Sequence, residues 1–127
     1  MTHTLTLLPD HKGYTTPRVS GDEYFVDADI EITSYTEDGE VITATSLGLD
    51  TLTAVMITGA ETASGVALER FVVELTAAKA NYNDYAAGPP VVHANTQFKL
   101  VGTTASSGAE SANSDLGRVR VRVYGTI

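Results

Sequence analysis

Two stretches of the chain alternate strictly between apolar and charged residues. From residue 26 to residue 32, every second residue is apolar and the residues between are Asp27, Asp29 and Glu31. From 118 to 124, valines alternate with Arg118, Arg120 and Arg122. Because successive side chains of a β-strand point to opposite faces, each stretch predicts a strand with one buried and one wet face. We therefore expect an antiparallel sheet with a charged outer face.

Turn residues divide the first part of the chain into short segments. Residues 2–8 predict an edge strand, or an arm that reaches a neighbour, ended by a proline. The first alternating strand is expected over 23–35, and Asp38 and Gly39 after it predict a hairpin or a short loop. One helical turn is expected within 43–49.

The expected helical turn has candidate residues at both of its ends. Thr43 or Thr45 is suited to cap its first turn, since a threonine oxygen can accept from a free backbone N–H group. Gly48 is suited to end it, because glycine adopts the left-handed conformation without strain. This turn is expected to plug one end of a sheet.

Further strand-like segments follow in the second half of the chain. Residues 51–58 are apolar and partly β-branched, which predicts a central strand buried on both faces. Strands are also expected over 70–75, 91–101 and 118–127. Residues 102–115 hold few large apolar side chains and predict a long mobile loop unless a partner orders it.

About seven short strands with turns between them predict an all-β fold. We expect a single-domain antiparallel β-sandwich or small β-barrel over residues 1–127, with one short helical turn and with residues 1–20 as an alternative N-terminal arm. The hydrophobic fraction of 43% and the charged fraction of 19% are ordinary for a globular chain. One core is enough for 127 residues.

Charge and cysteine content narrow the classes of partner. The formal net charge of -8 opposes binding to phosphate backbones, so direct nucleic-acid binding is not expected. The chain has no cysteine, which excludes disulfides, thiolate metal sites and a cysteine nucleophile. No apolar run approaches the ~20 residues of a spanning helix, and the N-terminus lacks the pattern of a signal peptide. A soluble protein without membrane contact is expected.

The charged rows allow two interpretations each. Asp27, Asp29 and Glu31 are expected to form a solvated face, with divalent-cation binding as the alternative, although the glycine and glutamate of an EF-hand loop are missing. The arginines pair within the chain or face solvent, each ion pair contributing ~0.2–1 kcal/mol. Alternatively, they meet acidic groups of another subunit, in which case Arg120→Ala weakens assembly and leaves the fold intact.

Catalytic and metal-binding motifs are missing from the sequence. His3, His11 and His93 are widely separated, so a zinc site is not expected. There is no serine-nucleophile elbow, dinucleotide fingerprint or phosphate-binding loop, and we expect no cofactor and no enzymatic activity. A small hydrolase would instead require a deep pocket around two carboxylates with perturbed pKa values.

One aromatic and polar cluster lies in the predicted loop over residues 81–90. Tyr82 and Tyr85 alternate there with asparagine and aspartate. Because tyrosine joins an apolar ring to a polar tip, the two rings either cover the edge of the core or serve as a contact for a sugar or a protein.

Three blocks of the sequence carry a family resemblance. Residues 21–33, 39–55 and 119–125 resemble small virion structural proteins of tailed bacteriophages. In that group a strand rich in Val and Asp leads through a Gly-Glu turn, here Gly39 and Glu40, to a Leu-Gly-Leu element. A strand of Thr, Ala and Val follows, as it does here after Leu49.

The resemblance implies a capsid decoration, or cement, protein that is β-rich and arrayed in copies on the shell. Its implied partners are the major capsid protein and further copies of itself, in a small cyclic homo-oligomer for which a trimer is preferred. Its implied location is the capsid surface of the virion, after synthesis in the host cytoplasm. The alternative is a carbohydrate- or receptor-binding module of a tail structure, for which Tyr82 and Tyr85 would supply the contact.

Overall fold

The chain folds as two antiparallel β-sheets that share one apolar core. The computed structural model describes residues 3–36, 39–61, 69–74, 96–104, 109–111 and 115–127. The strands are β1 (His3–Leu8), β2 (Arg18–Ser20), β3 (Glu23–Ile32), β4 (Glu40–Thr43), β5 (Thr51–Glu61), β6 (Glu69–Glu74), β7 (Gln97–Thr104) and β8 (Gly117–Thr126). The larger sheet has the order β1-β3-β8-β5 with β2 paired to β3, and the smaller has the order β4-β7-β6. This confirms the predicted all-β sandwich class; the sheets do not close into a barrel.

Strands β3 and β8 form the centre of the larger sheet. Their inward side chains are at most 3% exposed: Val26, Ala28, Ile30, Ile32, Val119, Val121 and Val123. The smaller sheet supplies Ile42, Phe98 and Leu100 to the same core. Both strands were predicted from their alternation, although β3 ends at Ile32 and not at residue 35.

The predicted helical turn is a 3-10 turn over Thr45–Leu47. Gly48 ends it with a φ of 78°, and the N–H of Gly48 donates to the carbonyl of Thr45 at 3.1 Å. The assigned N-cap position is Ala44, whose side chain makes no capping hydrogen bond. The predicted threonine contact is made by the residue before it, because Thr43 Oγ1 accepts from the N–H of Ser46 at 3.4 Å. Ala44 is 1% exposed and its N–H donates to Thr96, so core packing fixes the start of the turn.

Strand β5 lies at an edge of the larger sheet, so the prediction of a central strand buried on both faces is wrong. It pairs with β8 alone among the described strands. Its first part packs into the core through Leu52 and Val55, whereas every residue from Met56 to Glu61 is exposed. An apolar, β-branched run shows that a strand forms but does not fix how many neighbours it has.

The hairpin predicted at Asp38 and Gly39 does not form between β3 and β4. Strand β3 pairs in the larger sheet and β4 in the smaller. Gly39 has a φ of 117° and donates its N–H to the carbonyl of Thr36 at 3.0 Å. The second option for this position, a short loop, stays a prediction, because residues 37 and 38 lie outside the described residues.

The predicted loop over 102–115 begins in a strand. Gly102, Thr103 and Thr104 belong to β7, and Thr103 forms a β-bridge with Glu110. A Cβ atom at Gly102 would lie 2.4 Å from Leu116 Cδ1, so the glycine leaves room for this core leucine. The sequence signal failed here because small residues reduce a strand's own apolar content while they admit a neighbour's side chain. Residues 105–108 and 112–114 lie outside the described residues, as do 91–95 of the strand predicted to precede them.

Candidate functional site: the charged face of the larger sheet

The outer face of the larger sheet carries the two charged rows on neighbouring strands. The register places Asp27 opposite Arg122, Asp29 opposite Arg120, and Glu31 opposite Arg118. The two rows are therefore neighbours on one face, which is the arrangement that pairing within the chain requires. We call this surface the charged face: these six residues, together with Arg18 on β2 and Glu61 on β5.

At one end of the charged face, two arginines bind one carboxylate. Arg122 donates to both oxygens of Asp27, from Nε at 2.8 Å and from Nη2 at 3.0 Å. Arg18 donates from Nη2 to Asp27 Oδ2 at 2.6 Å. The hydrogen bonds from Arg122 lower the pKa of Asp27, and they do so against the opposing effect of burial. The same contact raises the pKa of Arg122.

The ring of Phe25 contacts both guanidinium groups that bind Asp27. The Cζ atoms of Arg18 and Arg122 are 4.5 and 4.7 Å from the centre of its ring. The ring of Tyr124 is tilted against Phe25 at a centroid distance of 5.7 Å. Each cation–π contact at such a partly exposed site contributes about 0.5–1 kcal/mol. The contacts hold both guanidiniums in position to bind the carboxylate.

Sequence reasoning missed Arg18 and Phe25, although a signal for them was present. β2 and β3 are joined by the two residues Gly21 and Asp22, and Gly21 has a φ of 67°. A two-residue loop that begins with glycine is typical of a tight β-hairpin. It sets the register that places Arg18 opposite Phe25.

At the other end of the charged face, the ion pairs are long or missing. Arg118 lies 3.9 Å from Asp29 and 3.8 Å from Glu31, and its side chain is 51% exposed. Arg120 is exposed and makes no ion pair with any residue in the described ranges. Glu61 stands opposite Arg118, and it too has no ion pair within the described part of the chain. This end therefore keeps one unpaired charge of each sign.

A β-bulge and a glycine shape the surface beside Arg120. The register of β5 against β8 shifts between Ile57 and Gly59, and Thr58 Oγ1 donates to the carbonyl of Arg120 at 3.2 Å. Gly59 then stands opposite Arg120, and a Cβ atom there would meet nothing within 4 Å in the part of the chain that the structure describes. A surface pocket of about 310 Å³ results, lined by residues that include Arg120, Gly59 and Glu61.

The end of β5 that borders this pocket exposes apolar side chains. Met56 is 52% exposed and Ile57 is 37% exposed. Met56 stands opposite Arg122 and Ile57 opposite Val121, so the two side chains belong to opposite faces of the sheet. Beyond β5 there is no further strand among the residues that the structure describes.

Buried polar contacts join the two sheets at a different place. The carboxylate of Glu40, with a fully buried side chain on β4, lies 2.9 Å from His3 Nδ1 on β1 and accepts from the N–H of Thr36 at 2.6 Å. The hydroxyl of Tyr35 donates to Glu110 at 2.7 Å and accepts from the N–H of Gly102 at 3.3 Å. Burial is the main cause that raises the pKa of Tyr35. No local sequence pattern indicates this cluster, because its members are scattered along the chain.

Tyr82 and Tyr85, which were candidate contact residues, lie outside the described residues, and so does His93. Among the residues that are described, no three or more His, Asp or Glu side chains are grouped to hold a metal ion. Divalent-cation binding was the alternative interpretation of the acidic row, and in the structure the carboxylate of Asp27 is bound by two arginines. None of the helical structure found in the described ranges is long and apolar enough to cross a membrane.

Comparisons with protein-family models, with curated proteins and with solved structures found no match to this chain. The charged face and the exposed end of β5 therefore have to be interpreted from their own geometry and chemistry.

Proposed function

We propose that this protein is a non-enzymatic structural component of a tailed-phage virion, a capsid decoration protein that binds and stabilises the major capsid shell. It acts as copies joined in a small homo-oligomer on the capsid surface. The observation that carries this proposal is the end of β5, where Met56 to Glu61 are exposed on both faces of an edge strand. The sequence resemblance to small virion proteins of tailed phages supports the assignment to virion structural proteins.

An exposed strand end of this kind is suited to a contact between protein chains. A strand at a sheet edge presents unpaired N–H and C=O groups, which a segment of another chain can complete. Met56 and Ile57 add apolar side chains on either face, and such exposed apolar surface marks contact sites between proteins. In the assembled virion, this edge is where the chain joins another protein chain.

The net charge of the chain is compatible with attachment to an array. A formal charge of -8 makes free copies repel one another and keeps them dispersed before assembly. On a shell that offers many equal sites, contacts that are weak one at a time add up to stable attachment.

Purified virions test the proposal directly. Mass spectrometry of virions from the phage that encodes this chain should detect it in stoichiometric amounts, and the purified chain should sediment with shells that lack it. Absence from virions, together with no sedimentation with shells, would refute the proposal.

A matched pair of variants tests the role of the β5 edge on those shells. Met56→Lys places a charge in the exposed apolar surface and should reduce shell binding by at least tenfold. Val19→Lys makes the same change at a position that is 66% exposed on β2, away from that edge, and should bind as the unmodified chain does. Equal binding by both variants would show that the edge has no part in attachment.

A further inference from the structure

Two unpaired charges of opposite sign lie close together at the exposed end of β5. Arg120 on β8 faces Gly59, and Glu61 follows two residues later on β5, on the same face of the sheet. Neither has an ion-pair partner within the described ranges. A surface that fits this end must therefore offer one carboxylate and one cation, and a second copy of the same chain offers both.

Gly59 leaves an open path from Arg120 to the edge of the sheet. A side chain at this position would stand on the outer face between Arg120 and any strand added beyond β5. Glycine has none, and no atom of the described residues occupies the space where a Cβ would lie. The guanidinium of Arg120 can therefore extend across β5 toward a neighbouring strand.

A two-fold contact between two β5 strands brings these charges together in one specific register. In an antiparallel pair centred on Ala60, Gly59 of one copy stands opposite Glu61 of the other. Directly opposite residues share a face. Across the strands, the outer face therefore carries Arg120 of β8, Gly59 of β5 and then Glu61 of the second copy. With strands about 4.8 Å apart, the Cα atoms of Arg120 and that Glu61 lie about 9.6 Å apart, a span suited to an arginine and a glutamate side chain.

We propose that two copies of this chain associate edge to edge through β5 in this register, with Arg120 of each copy paired to Glu61 of the other. Because a two-fold contact is self-complementary, each interface contains two such ion pairs. On the inner face Ala60 meets Ala60 of the second copy, with Val119 behind each. This proposal rests on the proposed function, because it names the chain that occupies the β5 edge. It gives a two-fold contact and not the trimer that the resemblance implies.

The contact is short, so association in free solution is weak. Three residue pairs, from Gly59 to Glu61, face each other in this register. Copies held side by side on a shell would be at an effective concentration of about 1 mM, where weak contacts form. The measurement in solution must therefore extend to that range.

Sedimentation equilibrium of the purified chain, up to about 1 mM, tests the pairing with charge-reversal variants. The unmodified chain should form a dimer. Arg120→Glu and Glu61→Arg should each weaken dimer formation at least tenfold, because each places like charges at the two contact points. The double variant, Arg120→Glu with Glu61→Arg, restores opposite charges and should dimerise again. Asp50→Arg makes a matched charge change at an exposed position before β5 and should have no effect.

Circular dichroism and the thermal midpoint of each variant show that loss of association is not loss of fold. A chain that stays monomeric at all concentrations, forms a trimer, or dimerises equally in the single reversals would overturn the pairing. Shell binding by such a chain would leave the proposed function standing. A dimer that shows the expected reversal and rescue, but is absent from virions, would retain the pairing and refute the proposed function.

Discussion

The two ends of the charged face have the same sequence pattern and different chemistry. At the Asp27 end, all three charged groups lie within 3.0 Å of a partner, and both guanidiniums contact the ring of Phe25. At the Arg120 end, the shortest ion pair measures 3.8 Å and two charges have none among the described residues. The spacing of charges along β3 and β8 is the same at both ends.

The neighbouring strands account for this difference. Beside Asp27, the tight turn before β3 brings Arg18 of β2 onto the same face. Beside Arg120, the bulged edge strand β5 supplies a glycine and no counter-charge directly opposite. An alternating pattern therefore determines which residues face outward, while the neighbours decide whether a charge is satisfied within the chain or left for another one.

Removal of the Asp27 carboxylate should have the largest effect on stability. Asp27→Ala leaves two guanidiniums around Phe25 with no counter-charge at a site where the carboxylate is 19% exposed. Hydrogen bonds to charged groups contribute about 1.5–3 kcal/mol, so we expect a loss of about 2 kcal/mol in the free energy of unfolding. Urea denaturation measures it. A loss below about 0.5 kcal/mol, the usual effect of a surface substitution, would show that the two ends do not differ in strength.

Acid should remove the same contribution without any mutation. The folded state holds the pKa of Asp27 below its ordinary value of 3.8, so near that pH the unfolded chain binds more protons. The contribution of Asp27 is therefore present above pH 3.8 and is lost as the pH falls through the lower, folded-state pKa. Urea midpoints of the unmodified chain and of Asp27→Asn should converge over this range. A stability difference that does not change with acidification would contradict this assignment.

Arg120 and Arg122 lie at neighbouring outward positions on β8, so their alanine variants can be compared directly. The expected losses of stability are smaller than for Asp27→Ala. Arg122→Ala should reduce stability by about 1 kcal/mol, since this side chain is 38% exposed and water screens part of its interaction with Asp27. Arg120→Ala should change stability by less than about 0.5 kcal/mol, because Arg120 makes no ion pair with any described residue of its own chain. Thermal unfolding in dilute solution compares the two. An equal loss in both variants would mean that Arg120 is satisfied within its own chain.

Much of the larger sheet could be predicted because strand alternation is a local property. The buried faces of β3 and β8 follow from sequence spacing alone, and so does the row of charges on each. The position of β5 could not be predicted, because the same apolar run suits a central strand and an edge strand. The contacts of Glu40 with His3, and of Tyr35 with Glu110, join residues 37 and 75 positions apart, which no local pattern reports. At the candidate site, the sequence predicted the row of arginines but not the difference in ion pairing between its two ends.

Cysteine cross-linking at Ala60 tests most directly whether the Arg120 end is completed by a second copy. The chain has no cysteine of its own, so Ala60→Cys introduces a single thiol at the exposed position where the proposed two-fold axis passes. Directly opposite Cβ atoms in an antiparallel pair lie about 4.5–5.5 Å apart, close enough for oxidation to join them with modest adjustment. Thr53→Cys, exposed on the same strand but outside the contact, is the control. We expect a disulfide-linked dimer from Ala60→Cys and none from Thr53→Cys; equal cross-linking of both, or of neither, would contradict the edge-to-edge contact.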